Sequence, residues 1–403
     1  MRALVTGIGV VAPNGLGTEA YWSSTLDGKS GIDGIDRFDA SSYPVRVAGL
    51  ARDYSAADSV PARLIPQTDH WTHMGLTAAA MALDDAGVDP AAEPEYDMAV
   101  VTASSSGGTE FGQREIEALW SKGPGFVGVY QSIAWFYAAT TGQVSIRHGM
   151  RGACGVIASE QAGGIDAIAH ARRVLRDDAS LVVTGGTDAS LCPYGLVAQI
   201  TNGRLSTDDD PATAYRPFAP DACGYVPGEG GAMLIVERGQ RVTGGRRAYG
   251  EVVGYGATFD PPPESGRPST LRRAITAALD DAGVAPGEVD VVFADAAGVP
   301  ELDRAEAEAL RAVFGPEGVP VTAPKTMTGR LYAGGASLDV ATALLAIRDD
   351  VIPPTIGVGE LAPGLDLDLV RTTPRERRVD TALVVARGYG GFNAAMVLRA
   401  PQT

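Results

Sequence analysis

A chain of 403 residues, 45% hydrophobic and 20% charged, is long enough to bury two full-sized cores and too ordinary in composition to be fibrous or disordered. With 49 Asp and Glu against 33 Lys and Arg, its formal net charge of −16 excludes a nucleic-acid binder and an anchor to an anionic membrane, both of which need a basic surface. The three cysteines, Cys154, Cys192 and Cys223, have no CxxC spacing, which excludes a disulfide framework or zinc site and suits a reducing cytosol, with each expected as a small buried hydrophobe.

In chain order, residues 3–8 form an apolar run read as a buried strand. Gly7, Gly9 and Pro13 interrupt the opening segment, so it neither spans a bilayer nor has a signal peptide's cleavage pattern. Gly7 and Gly9 do not complete GxGxxG, which excludes a dinucleotide loop. His70 and His73 stand three apart, and neither they nor His148 and His170 have metal spacing; a solvated helix face is expected for the pair.

An alanine-rich helix over 77–86 ends at Gly87, where a left-handed residue suits a helix C-terminus, and a strand follows over 98–102. On a helix over 107–120, Thr109, Gly112 and Ile116 share one face; taken alone this is an amphipathic helix packing its small face on a neighbour. Residues 155–164 read as a strand–turn–helix elbow opening a helix over 165–175, with Gln161 at the bend. An elbow of this kind places one side chain at a helix N-terminus, where the dipole and free amides favour negative charge. An amide side chain cannot act as a nucleophile there, although it can donate and accept hydrogen bonds. Taken alone, Gln161 is a plain helix-start residue.

Further strands are predicted at 181–184, 232–236, 247–253, 289–294 and 381–386, with loops at 206–213 and 260–267. The seven residues Ala82-Leu-Asp-Asp-Ala-Gly-Val88 recur letter for letter at 278–284, each time closing a helix and preceding an acidic loop and an apolar run. Gene duplication explains the shared context, and the alternation of strands and helices predicts mostly parallel sheets covered by helices. The divide is placed in the Gly/Arg-rich stretch 239–247, giving halves 1–240 and 241–403.

Six segments in this order, 5–13 (VTGIGVVAP), the elbow, 182–186 (VVTGG), 216–218 (RPF), 228–230 (GEG) and 388–393 (GYGGFN), resemble the β-ketoacyl synthases of the thiolase superfamily over nearly the whole chain. Ser159-Glu160-Gln161-Ala-Gly-Gly164, Trp135-Phe-Tyr137 and the 145–151 segment resemble the chain-length factors, or ketosynthase-β subunits, of type II aromatic polyketide synthases. The resemblance implies an α/β, duplicated thiolase-like fold layered α-β-α-β-α with two mixed sheets of mostly parallel strands.

Active members of that family carry Cys at the elbow and two histidines in the second half. Here Gln161 stands at the bend, and no histidine lies beyond His170. Ala297 falls in the 294–300 stretch that resembles the first histidine motif, and Arg330 takes the second histidine's place, with Lys325 kept as a structural ion-pairing or hydrogen-bonding residue. Tyr389 lies in the loop that, in active relatives, lends a backbone amide to the oxyanion hole; it is read here as keeping the shape without the chemistry.

The resemblance further implies a non-condensing subunit that pairs with a ketosynthase-α and sets product length through a tunnel wall at Thr109, Gly112, Ile116 and Ile133. Small side chains at the wall imply a long product, a decaketide or more. The growing chain would arrive on an acyl carrier protein whose phosphopantetheine is the only prosthetic group needed, so no cofactor or metal is expected in this chain. Two alternatives stay open: a malonyl-carrier decarboxylase acting through Gln161, and a stand-alone or self-paired thiolase-fold binding protein.

Overall fold

The computed structural model describes residues 1–177 and 179–402. Its architecture follows from the repeat. In the first half, strand Ala3–Ala12 leads to helix His70–Ala86, then strands Met98–Ala103 and Cys154–Ile157, helix Gly163–Val174, and strands Leu181–Asp188 and Gly230–Arg238. The second half repeats the order: strand Gly250–Phe259, helix Leu271–Ala282, strands Val291–Phe293 and Pro320–Thr322, helix Ala333–Asp349, and strands Thr381–Arg387 and Phe392–Arg399.

Strand pairing is the same in both halves. The opening strand runs antiparallel to the closing one, which runs antiparallel to its predecessor; the remaining strands pair in parallel. Each half is therefore mixed rather than mostly parallel. The second half ends in a hairpin around 388–391, and so short a turn can join only antiparallel strands. Leu4 and Val5 also pair with Glu251 and Gly250, so hydrogen bonding runs without a break from one half's sheet into the other's.

Helix Ala333–Asp349 is buried from Ala333 through Ile347 on every face, as an apolar helix must be when it lies inside a fold. With helix Gly163–Val174 it forms the middle layer, in a core that draws side chains from both halves. Helices His70–Ala86 and Leu271–Ala282 cover the outer faces over separate cores, completing the five layers.

The repeated heptapeptide is explained by contact. A Cβ at Gly7 would lie 2.1 Å from the carbonyl oxygen of Ala82, and one at Gly254 would lie 2.2 Å from that of Ala278. Gly9 and Gly256 face Ala78 and Ala274 in the same way, at 2.0 and 2.2 Å. Two glycines on each opening strand thus let the outer helix sit directly on the sheet. Asp85 then accepts the N–H of Ile8 at 2.9 Å, and Asp281 that of Tyr255 at 3.0 Å. Gly87 and Gly283 both end their helices at φ +63°.

Two expectations are corrected. Cys154 and Cys223 are exposed, the first because it opens an edge strand and the second because it lies in a surface turn; only Cys192 is buried, its Sγ accepting the Gly195 N–H at 3.4 Å to cap a short helix. The face of His70 and His73 is not solvated: His73 is buried, and burial pushes its pKa down to about 4. Among the described residues no helix is long and apolar enough to cross a membrane.

Replacing Gly256 by alanine forces a Cβ into backbone, so Gly256→Ala is expected to destabilise by about 1–3 kcal/mol or more. Gly287, which has open space around its Cβ position, serves as the control: Gly287→Ala should stay within about 0.5 kcal/mol in the same denaturation measurement.

Candidate functional site

The elbow is built as the small residues predict. Strand Cys154–Ile157 leads through Ser159 into a tight turn over Glu160–Ala162, and the middle-layer helix starts at Gly163. Ser159 donates to the Asp166 carboxylate, which also accepts the Tyr255 hydroxyl at 2.8 Å, so the turn is tied to both its own helix and the second half.

Gln161 is fully buried and faces the other middle helix, not open space. A Cβ at Gly335 would lie 2.5 Å from its Nε2, so the two middle helices meet at this side chain. Neither end of the Gln161 amide has a hydrogen-bond partner among the described residues.

Two cavities flank the elbow. The smaller, of about 70 Å³, lies among Ala297, Arg330, Arg387, Tyr225 and Asn393; the larger, of about 240 Å³, lies among Ser105, Thr109, Gln199 and Tyr332. Glu160 and Tyr389 line both, and Gln161 lines neither. The structure thus brings Gln161, Ala297, Arg330 and Tyr389 into one region, as the motifs imply, but the side chain at the cavity wall is Glu160, which the sequence reading passed over. The available signal was a carboxylate next to the bend at the opening of a helix.

Arg330, which the motif aligns with a histidine of active relatives, is buried. Its Nη1 donates to the carbonyl of Asp295 at 3.0 Å, its Nη2 donates to the carbonyl of Arg387 at 2.9 Å, and Nη2 lies 3.1 Å from the Asp295 carboxylate. The guanidinium also stacks 5.2 Å from the Tyr225 ring centre. Burial pushes the Asp295 carboxyl up, but Arg330, Lys325 and Arg387 outweigh it and hold the group below the usual carboxylate range. Lys325 forms a buried ion pair with Asp339 at 2.8 Å and donates to the carbonyl of Ala294 at 2.6 Å. Ala297 is buried behind this network and offers no polar atom beyond its backbone.

Behind it, Glu306 accepts the N–H groups of Asp295 and Ala296 at 2.7 and 2.8 Å, and Asp303 accepts those of Phe218 and Gly298 at 2.8 and 3.0 Å. These carboxylates fix the 295–298 segment. They hold backbone rather than substrate.

The four wall positions fall differently. Helix Thr109–Lys122 begins beside Asp69, whose carboxylate accepts the N–H of Phe111 at 2.6 Å and that of Trp71 at 3.2 Å; burial pushes that carboxyl up to about 6. Thr109 and Gly112 are buried, whereas Ile116 is 46% and Ile133 44% exposed, so in this chain the four do not form one enclosed wall. The space opposite Gly112 is also taken: a Cβ there would lie 3.0 Å from Cδ1 of Trp135. Trp120, Phe126, Val129, Trp135 and Phe136, on this helix and the segment after it, are exposed as well, with Trp120 83% and Val129 81% exposed.

Comparison with known proteins places these features. Residues 2–241 match the family described as Beta-ketoacyl synthase, N-terminal domain, and residues 249–359 its C-terminal domain. The chain is 62% identical over 98% of its length, and 98% of the relative's, to the tetracenomycin polyketide synthase ketoacyl synthase beta subunit of Streptomyces glaucescens. Among solved structures it is similar to the ishigamide ketosynthase/chain length factor, with a TM-score of 0.91 and 26% identity, covering 100% of this chain and 99% of that one. A second is a type II polyketide synthase acyl-carrier protein in complex with its ketosynthase bound to the hexaketide, with a TM-score of 0.89, 25% identity and 99% of each chain covered.

Removing the Arg330 charge takes from Asp295 its paired guanidinium and leaves only the more weakly acting Lys325 and Arg387, so Arg330→Met is expected to cost about 3–5 kcal/mol in chemical denaturation. Burial pushes the Asp303 carboxyl from 3.8 up to about 7, so the folded state binds its proton more tightly than the unfolded state. The stability linked to that proton is present below about pH 4 and lost as pH rises through 7. Asp303→Asn should therefore flatten the decline in melting temperature across that window; an unchanged slope would remove Asp303 as its source.

Proposed function

We propose that this chain, which belongs to the β-ketoacyl synthase family in its ketosynthase-β or chain-length factor branch, is the non-condensing subunit of a heterodimeric type II polyketide ketosynthase and sets the number of malonyl condensations. The observation that carries the reading is a contrast within one molecule. Where relatives keep a thiol and two histidines, this chain has Gln161 turned into the core and a buried Arg330–Asp295 pair. Where it has no chemistry to perform, along helix Thr109–Lys122 and the segment after it, it exposes a wide apolar and aromatic face. Contiguous apolar surface of this kind marks a contact with another protein.

A ketosynthase-α seated on that face would close Ile116 and Ile133 into a wall and carry the growing chain on its own cysteine. Acyl carrier protein would deliver each unit on its phosphopantetheine in the cytoplasm, with no prosthetic group held by this chain. Length is then a matter of volume, because a packed wall yields only at a cost. Small residues at 109 and 112 favour a long product, a decaketide or more, and the indole of Trp135 rather than residue 112 itself is the group that fills the space there.

The decarboxylase alternative is weakened by Gln161 facing helix Ala333–Asp349 and lining neither cavity.

The test is reconstitution with a ketosynthase-α and malonyl-loaded carrier protein, with product length read by mass spectrometry. Gly112→Phe must push Trp135 toward the partner and should shorten the products while condensation continues. Unchanged length in a pair that assembles and turns over would move the gate elsewhere, and condensation by the purified chain alone would end the non-condensing reading.

A further inference from the structure

Two backbone amides with no part in that function point at one atom. The N–H of Gln161, at the bend of the elbow, and the N–H of Tyr389, in the 388–391 loop, both donate to Oε2 of Glu160 at 2.8 Å. Glu160 and Tyr389 are 229 residues apart in the chain. Two preorganised donors converging on a single oxygen are the geometry that stabilises an oxyanion, whether the oxygen of a polarised thioester carbonyl or that of a carboxylate.

The chain supplies the occupant itself. Glu160 has φ +52°, a left-handed conformation that a residue with a side chain adopts only under constraint, and it is this twist that accompanies the return of the carboxylate over the next residue's N–H. The second donor depends on an equally specific approach. A Cβ at Gly388 would lie 2.4 Å from the carbonyl oxygen of Ser159 and 3.3 Å from Cβ of Glu160, so only glycine lets the loop bearing Tyr389 come this close. Glu160 and Tyr389 form the shared wall of the two cavities, so the carboxylate stands where a group entering from either side would reach the amides. Burial raises the Glu160 pKa; nearby Arg330 and the two N–H donors act in the opposite direction.

The 388–391 loop is the one that lends an oxyanion-hole amide in active relatives, so the paired Gln161 and Tyr389 amides correspond to that family feature; we propose that in this chain Glu160 is an intramolecular plug whose carboxylate keeps the pair filled. The site is inactive for two separate reasons, a missing nucleophile at position 161 and a hole already occupied from position 160. Restoring a thiol at 161 alone would leave the hole blocked. The proposal stands on this geometry and does not depend on the chain-length function: a Gly112→Phe variant that leaves product length unchanged does not touch it.

The test uses the full-length chain with Glu, Gln or Ala at position 160 and sodium acetate as the probe, against sodium chloride at equal ionic strength. Acetate replaces the carboxylate that Glu160→Ala removes, so it should raise the melting temperature of that variant saturably while moving the native chain no more than chloride does. Hydrogen exchange reads the site directly: the Gln161 and Tyr389 amides should exchange about tenfold faster or more in Glu160→Ala and slow again in acetate. Equal responses of variant and native chain to acetate, or equally fast exchange of the two amides in both, would overturn the proposal. If Glu160→Ala does not fold, Glu160→Gln decides. Its neutral oxygen is a weaker acceptor, so faster exchange confined to the same two amides supports an anion site, and unchanged exchange rejects it.

Discussion

The two middle helices cross with no room between them at their N-terminal ends. Cβ atoms at Gly164 and Gly335 would lie 2.5 Å from the Ser337 backbone nitrogen and from the Gln161 amide respectively, so the helices are in direct contact at the elbow. That contact sets the position of everything nearby. It holds the 159–163 turn against the 329–337 segment, bringing Glu160 from one half of the chain beside Arg330 from the other. The same closeness explains why helix Ala333–Asp349 begins with small residues and is buried on all sides. A larger side chain at either crossing point would separate the halves before it disturbed any chemistry.

Within that frame the pocket beside the elbow is held by buried ion pairs. A histidine can be neutral, but an arginine stays charged, so burying Arg330 demands a fixed anion and a full set of acceptors. Asp295 and the carbonyls of Asp295 and Arg387 provide them, and Lys325 with Asp339 forms a second buried pair alongside. Such pairs add less stability than apolar packing of the same volume, yet losing one partner is costly, so the network resists piecemeal change. Glu306 and Asp303 continue it by holding the 295–298 backbone, at the expense of keeping two carboxyls in a setting that favours their protonated forms.

The apolar face around helix Thr109–Lys122 is organised on a different principle. Its buried end is fixed through Asp69 to the outer helix, while its far end and the 124–137 segment present large side chains outward. Anchoring at one end and exposure at the other suit a surface completed by a second protein, and the four candidate wall positions divide along that line. Thr109 and Gly112 are buried within this chain, whereas Ile116 and Ile133 are about half exposed.

The sequence by itself determined the duplication, the layered fold, the elbow and the absence of the thiol and second-half histidines, because each is carried by local order: a heptapeptide written twice, a small-residue turn before a helix, a letter at a known place in a motif. It also located Ala297, Arg330 and Tyr389 around one region. Only the tertiary structure decided what those residues do there. The left-handed twist at Glu160, the approach of a Tyr389 amide from 229 residues away and the filling of Gly112's space by Trp135 are contacts between segments distant in the chain, and no local pattern encodes them. Cys154 and Cys223 failed as buried residues for the same reason: exposure at a sheet edge or a surface turn is set by which strands and loops lie beside them, not by the residue itself.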